Sequence, residues 1–388
     1  MKISELRKRE NYDKTLTQTL QACADFDAAH TPDYQPESVQ WYEHPILSVY
    51  VTPDFCADGR RYLNMQYRHA PRRSRRLVQA IATDFMTMPA FFSRSLKPAF
   101  QISSAGRPEY QMWMPGNHRF RRFDFEKRTI RVYPKAGFSA DGIRQEITLR
   151  RQLSAEYPWV LPILWSEDEA AVFDETLLEA MPFNRINSGT RQTQILDKIQ
   201  TILRDLHQCQ TITVTGEAYQ AMKRLQLDTA YHKIRQKFPG LRFELIEQVW
   251  QRAAKVIQRS REIPMSLTHG DFQPGNLIVP ADADNSGVWL IDWEDVDVRA
   301  SIYDVMTWTL QSRSPKGLAS RVEAFLYDKT ELPFELTCSR DLAVALWAVE
   351  EWIWLLESSA REGITQIPAG LCMQFQACSA YLCANPNV

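Results

Sequence analysis

Residues 267–295 constrain this chain most: LTHGDFQPGNLIV, then eight turn-prone residues, then VWLIDWED. The apolar runs beside each polar cluster read as strands, which would anchor a loop whose polar groups point into a cleft. Asp271 is suited to accept a hydrogen bond from a hydroxyl and to take its proton. Asn276, five residues on, offers an amide oxygen, a hard ligand of the kind Mg2+ takes. Asp292 closes an apolar strand sixteen residues after Asn276, which delivers a carboxylate to a fixed point. One Asp and one Asn suit magnesium, because that ion keeps several waters and draws its other oxygens from nucleotide phosphates.

The surrounding 388 residues are too many for one ordinary core, and two or three structural units are expected. Apolar residues make up 44% and charged residues 24%, as in a soluble globular protein. A net charge of −1 excludes a globally basic nucleic-acid binder. No apolar run approaches the length that crosses a bilayer, and the N-terminus lacks the apolar core of a secretory signal. Seven cysteines without a C-x-x-C pair suggest reduced thiols and a cytoplasmic protein.

Three regions follow from the patterning. Residues 1–105 form an N-terminal accessory region, with a helix over 14–29, a strand over 44–53 and an arginine-dense run from Gly59 to Leu77, closed by a linker-like SSAGRP. Residues 106–182 read as a strand meander: 110–114, 118–125 and 129–134, a helix over 139–153, then strands over 160–165 and 170–179. Beyond Pro182, residues 183–388 are mainly helical, with amphipathic patterns over 191–208, 243–260, 301–311 and 340–360. The fold class is α+β: a small antiparallel-sheet lobe, then a larger helical lobe that carries the catalytic and metal-binding loops.

THGDFQPGN with LIDWED resembles the motif pair of the aminoglycoside phosphotransferase and choline kinase-like family over roughly residues 109–360. The Asp-to-Asn spacing is also that of the kinase catalytic loop. The resemblance implies a two-lobed protein-kinase-like fold and transfer of the ATP γ-phosphate to a small-molecule hydroxyl. It implies Asp271 as catalytic base, Asn276 and Asp292 as magnesium ligands, His269 as the residue that orients the loop, and Asp304 as a structural acid bracing it. A kinase-like sheet lobe also needs a strand cation paired to a helix carboxylate. Arg131 with Glu146 stands at those places, and Lys135 is the rival for the phosphates. Gly116 and Asn117, in the first turn, and Glu179 and Met181, after the fifth strand, are further nucleotide-binding candidates.

For the acceptor, Trp293 and Glu294 adjoin Asp292, while Glu350 and Trp354 recur at helical spacing within WAVEEWIWLLE. The expected partners are a nucleotide and a small-molecule hydroxyl compound, with no membrane; a homodimer is compatible, and a nucleic-acid-associated module that uses the arginine run stands as a further, less favoured alternative. A saccharide or protein acceptor, or a nucleotide-binding regulator without transfer activity, stands as the alternative. The acceptor's identity and the choice of ATP or GTP are not written in these motifs.

Overall fold

The computed structural model describes residues 3–31, 37–67, 73–104, 106–186, 189–239, 244–280, 287–314, 316–330, 332, 334–361 and 364, without the side chains of 9, 73–76, 244 and 245. Arg68, Arg72 and the cysteines at 372, 378 and 383 lie outside these residues. The chain divides into two compact units, one of residues 1–186 with 278–290, the other of 187–277 with 291–388.

The first unit opens with α1 (Ile3–Arg9), α2 (Tyr12–His30), β1 (Glu37–His44), β2 (Val49–Val51), α3 (Ala57–Tyr67), α4 (Arg73–Thr87), α5 (Pro89–Ser95) and β3 (Lys97–Ser104). It continues with β4 (Gln111–Pro115), β5 (Arg119–Asp124), β6 (Thr129–Pro134), α6 (Asp141–Leu153), β7 (Ile163–Glu167), β8 (Val172–Thr176) and β9 (Ala180–Pro182). Eight of these strands form one antiparallel sheet in the order β3-β1-β2-β4-β5-β6-β8-β7. The accessory strands are therefore part of the meander's sheet, joined through Tyr50 opposite Trp113. The expected boundary at 105/106 does not separate two units.

Strand alternation gives this sheet two apolar faces. One, with Met112, Phe123, Ile130, Val132 and Phe173, packs with Ile143 and Ile147 of α6 and with Phe55, Leu63 and Phe92. The other, with Trp41, Tyr50, Trp113, Phe120 and Tyr133, packs with Leu6 of α1 and Tyr12, Leu16 and Leu20 of α2. Two covered faces explain why the strands here carry apolar residues at adjacent positions.

The second unit contains α7 (Gly189–Gln208), β10 (Ile212–Val214), α8 (Gly216–Lys237), α9 (Glu244–Gln258) and β11 (Ile263–Thr268). The chain then lends β12 (Leu277–Pro280) and β13 (Trp289–Leu290) to the first unit, where β12 pairs with β9. It returns as β14 (Asp297–Ala300), α10 (Ile302–Thr309), α11 (Leu318–Leu326) and α12 (Arg340–Ala360). Strand β11 lies between β10 and β14. Helix α8 has no clean apolar period, because its buried stripe of Tyr219, Lys223, Leu227, Ala230 and Ile234 includes a lysine. That ammonium is buried against Glu350 of α12 at 2.9 Å. Among the described residues no helix is long and apolar enough to cross a membrane.

Candidate active site

Strand β11 ends at the buried Thr268, held in register opposite Asp297 of β14. The chain must then turn sharply. Gly270 makes the turn at φ +81°, where an added Cβ would stand 2.1 Å from the Asp295 carbonyl oxygen. Only glycine fits both the left-handed backbone and that approach. The turn is braced from below by Asp304, on the first turn of α10 and fully buried. Its carboxylate accepts the backbone N–H groups of His269, at 2.6 Å, and Gly270, at 3.1 Å.

His269 is fully buried, with its ring edge-on to Trp293 at 5.4 Å between centroids. Its Nε2 lies 3.0 Å from the Ile291 carbonyl oxygen, an acceptor only, so Nε2 carries the proton and donates. Ile291 in turn donates its N–H to the Asn276 carbonyl at 2.9 Å. Asp292, the next residue, adopts the left-handed region at φ 70° and ψ 59°. A non-glycine residue there is uncommon and costs about 1 kcal/mol or more. Two backbone-anchored contacts at Ile291 thus bring the start of Asp292 beside Asn276. The imidazole serves as a strut between the loop and that strand end; it touches no carboxylate of the site.

Asp271 is held from both sides. Its Oδ2 accepts from Gln273 Nε2 at 2.8 Å and from Asn276 Nδ2 at 2.7 Å, and its Oδ1 accepts from Arg313 Nε at 2.8 Å. A carboxylate offers about four acceptor positions, so among the described residues one remains, on Oδ1. Asn276 also donates Nδ2 to the Asp271 backbone carbonyl at 2.9 Å, and its Oδ1 accepts no hydrogen bond among the described residues. The Asn276 amide oxygen and the carboxylate of Asp292, the residue after Ile291, are hard-oxygen donors of the kind magnesium takes. Among the described residues no group of three or more His, Cys, Asp and Glu could by itself hold a metal ion.

Arg313 was invisible in the sequence. It follows α10 in a turn, 42 residues from Asp271, and no motif marks it. Its Nη1 donates to Glu351 at 2.5 Å, and its Nη2 to the Gly270 carbonyl at 2.6 Å and to Tyr303 Oη at 3.2 Å. The guanidinium lies 3.7 Å from the centre of the Trp354 ring. Burial alone would lower its pKa, but Glu351, Tyr303 and Asp271 together hold it well above the ordinary arginine value. It is a permanent cation beside the candidate base.

Residues 116–332, more than half of the chain, match the model of the APH phosphotransferase enzyme family. The chain belongs to that family. Comparison of the sequence with curated proteins finds no match. Among solved structures, a thermostable mutant of aminoglycoside phosphotransferase APH(4)-Ia in ternary complex with AMP-PNP and hygromycin B is 12% identical, with a TM-score of 0.50 over 72% of this chain and 95% of that one. Choline kinase LicA from Streptococcus pneumoniae is 15% identical, with a TM-score of 0.44 over 72% and 92% of the two chains. An ethanolamine kinase from Plasmodium vivax is 11% identical, with a TM-score of 0.44 over 81% and 96%. At such identity the likeness to APH(4)-Ia is one of fold.

Within this phosphotransferase the sheet unit corrects one sequence expectation. Arg131 does not meet Glu146. It sits on the α2 face of β6, next but one to Tyr133, whereas α6 covers the face of Ile130 and Val132. Its Nε and Nη2 bind Asp174 at 2.7 and 2.8 Å, and its Nη1 binds Asp27 at 3.0 Å. Glu146 holds Arg119 at 2.7 Å and Arg150 at 2.9 Å instead. Lys135 is fully buried on Glu10 and the Gly116 carbonyl. Lys135 is thus enclosed, while the Arg131 side chain, 20% exposed, is engaged by the two acids.

Of the remaining nucleotide candidates, Gly116 donates its N–H to the Arg119 carbonyl at 2.8 Å in the turn that holds Asn117, Glu179 pairs with Arg128 at 2.9 Å, and Met181 faces Val279 across β9 and β12. The acceptor candidates also divide. Trp293 is buried against His269, so it packs and does not line a site. Glu350 is buried on Lys223, Tyr219 Oη and the Ala300 N–H, an internal ion pair and no substrate contact. Trp354 has the Arg313 guanidinium over its ring. Glu294 remains only partly buried.

Proposed function

We propose that the chain transfers the γ-phosphate of ATP to a hydroxyl of a small molecule, with Asp271 as the base. What carries the reading is the single acceptor position left on Asp271 Oδ1, on a carboxylate otherwise fixed by Gln273, Asn276 and Arg313. The acceptor's O–H bond breaks and its proton passes to that oxygen. The electron pair so released forms the new O–P bond, and the bond from the γ-phosphorus to its bridging oxygen breaks, its electrons leaving on ADP. Positioning and electrostatics supply most of the acceleration in such chemistry. Asn276 Oδ1 and Asp292 are the proposed magnesium ligands; the ion, when bound, neutralises charge on the phosphates. The AMP-PNP bound to APH(4)-Ia supports a nucleotide triphosphate as donor.

The acceptor we propose is neutral or anionic. The aromatic face and the two acids that would cage a cation on α12 are consumed: Trp354 by Arg313, Glu351 by Arg313 and Glu350 by Lys223. Replacing Asp271 by Asn tests the reading. Phosphorylated product should fall about 10²- to 10⁴-fold with nucleotide affinity nearly unchanged. A variant as active as the parent, on any acceptor in a panel spanning both charges, removes Asp271 from the mechanism. A parent that binds nucleotide yet phosphorylates nothing points instead to a regulator, which the Arg313 ion pair on the base would suit.

A further inference from the structure

Helix α4 turns a row of large apolar residues outward. Leu77, Val78, Ile81 and Phe85 are 65%, 67%, 62% and 48% exposed, and Met88 and Phe91 continue the row at 51% and 39%. Leu77, Val78, Ile81 and Phe85 fall on one side of α4, and Phe91 of α5 meets Phe85 with ring centroids 3.6 Å apart. The opposite side turns the buried Thr83 and Thr87 inward beside Met86, which packs on the core, and Asn64 of α3 donates Nδ2 to the exposed Asp84 at 2.8 Å and to Thr87 Oγ1 at 3.0 Å. A helix facing only water carries polar residues at the outward positions that Leu77, Val78, Ile81 and Phe85 hold here. A contiguous apolar row of this kind marks a surface that something covers.

The charge around it identifies the partner. From Gly59 to Lys97 the sequence has nine Lys and Arg and one acid, Asp84, in a chain whose net charge is −1. Four of the arginines precede Leu77 within six residues, at 72, 73, 75 and 76, and Arg94 follows the row. We propose that α4 and α5 form a peripheral docking surface for an anionic lipid bilayer. A basic, amphipathic helix lies in the interface with its apolar side among the acyl chains and its arginines on anionic headgroups. Aliphatic Leu77, Val78 and Ile81 offer a nucleic acid neither a stacking plane nor a hydrogen bond, and Phe85 and Phe91 are packed on each other at 3.6 Å, which favours lipid over the polyanion that arginines alone would suit. Docking of this kind places the chain on a surface and needs no spanning helix. It is independent of the phosphotransfer reading.

Sedimentation of the full chain with vesicles tests it. The chain should pellet with vesicles of one part phosphatidylserine to two parts phosphatidylcholine and about tenfold less with phosphatidylcholine alone, and binding should weaken as salt rises. Ile81→Glu with Phe85→Glu should cost more than about tenfold in partitioning. These positions are exposed, so the fold is retained, as circular dichroism can check. Arg75→Gln with Arg76→Gln should cost about tenfold, leaving the apolar row intact. Equal binding to neutral vesicles, no binding to either kind, or partitioning indifferent to both double variants overturns the proposal. So does an oligomer that Ile81→Glu with Phe85→Glu dissociates, since the row is then covered by a second copy.

Discussion

Replacing Arg313 by Gln isolates what holds the candidate base. The substitution removes a cation that sits between Asp271 and Glu351 and spans both with Gly270 and Tyr303. Glu351, only 2% exposed at its side chain, would lose its arginine partner while keeping the Tyr303 hydroxyl; Asp271, at 18%, can recover water on its Oδ1. Taking one partner from a buried ion pair costs about 3–5 kcal/mol. Glutamine can restore about 1 kcal/mol by hydrogen bonding, and the hydration of Asp271 returns a little more, so about 2–3 kcal/mol is expected. For a unit near 190 residues that is roughly 4–12 °C in Tm. Asp271 would keep its Oδ2 anchors and lose the one on Oδ1, and a loosened base costs up to about 10²-fold in kcat with little change in the KM for ATP. Thermal unfolding and steady-state kinetics on the same preparations read both effects. Adding Glu351→Gln removes the carboxylate that lost its cation, so the double variant should be less destabilised than the sum of the singles. A Tm within about 1 °C of the parent with kcat unchanged would refute the reasoning, because neither the buried charge nor the anchor would then matter.

Gly270→Ala must place a Cβ against the Asp295 carbonyl at a left-handed φ, so a loss of about 1–3 kcal/mol and of most transfer activity is expected in denaturant titrations and product assays. The Asp295 pKa is raised by burial but lowered more by Arg361 at 2.7 Å, to about 2 in the fold against 3.8 ordinarily. A depressed carboxylate contributes stability above its unfolded value and loses it as pH falls, here from about 4 to about 2; Arg361→Gln should remove roughly 2 kcal/mol at neutral pH and flatten that acid limb of the stability curve. Arg131→Met should leave nucleotide affinity within about twofold, measured by titration calorimetry, while lowering Tm, because its guanidinium is spent on Asp174 and Asp27. A tenfold weaker nucleotide would return Arg131 to the phosphates.

The sequence alone determined the features whose partners are near in the chain. Asp271 and Asn276 are bonded across five residues in one loop, and turn chemistry and flanking apolar strands write such a contact locally. The meander of β4, β5 and β6 followed by α6 was equally legible, because alternation and helical spacing are properties of short windows. The tertiary structure decided everything that depends on which of several like groups meet. Arginines are frequent here, and charge attracts any acid without choosing one. Arg131 went to Asp174 and Asp27, 43 and 104 residues away, because strand alternation turned it to the α2 face, and Arg119 took Glu146 on the other. The N-terminal strands entered the sheet through β2 and β4, a pairing no local pattern specifies. Arg313 reached Asp271 only because the chain path after α10 returns beneath the loop, and long-range ion pairs of that kind are fixed by packing, not by spacing.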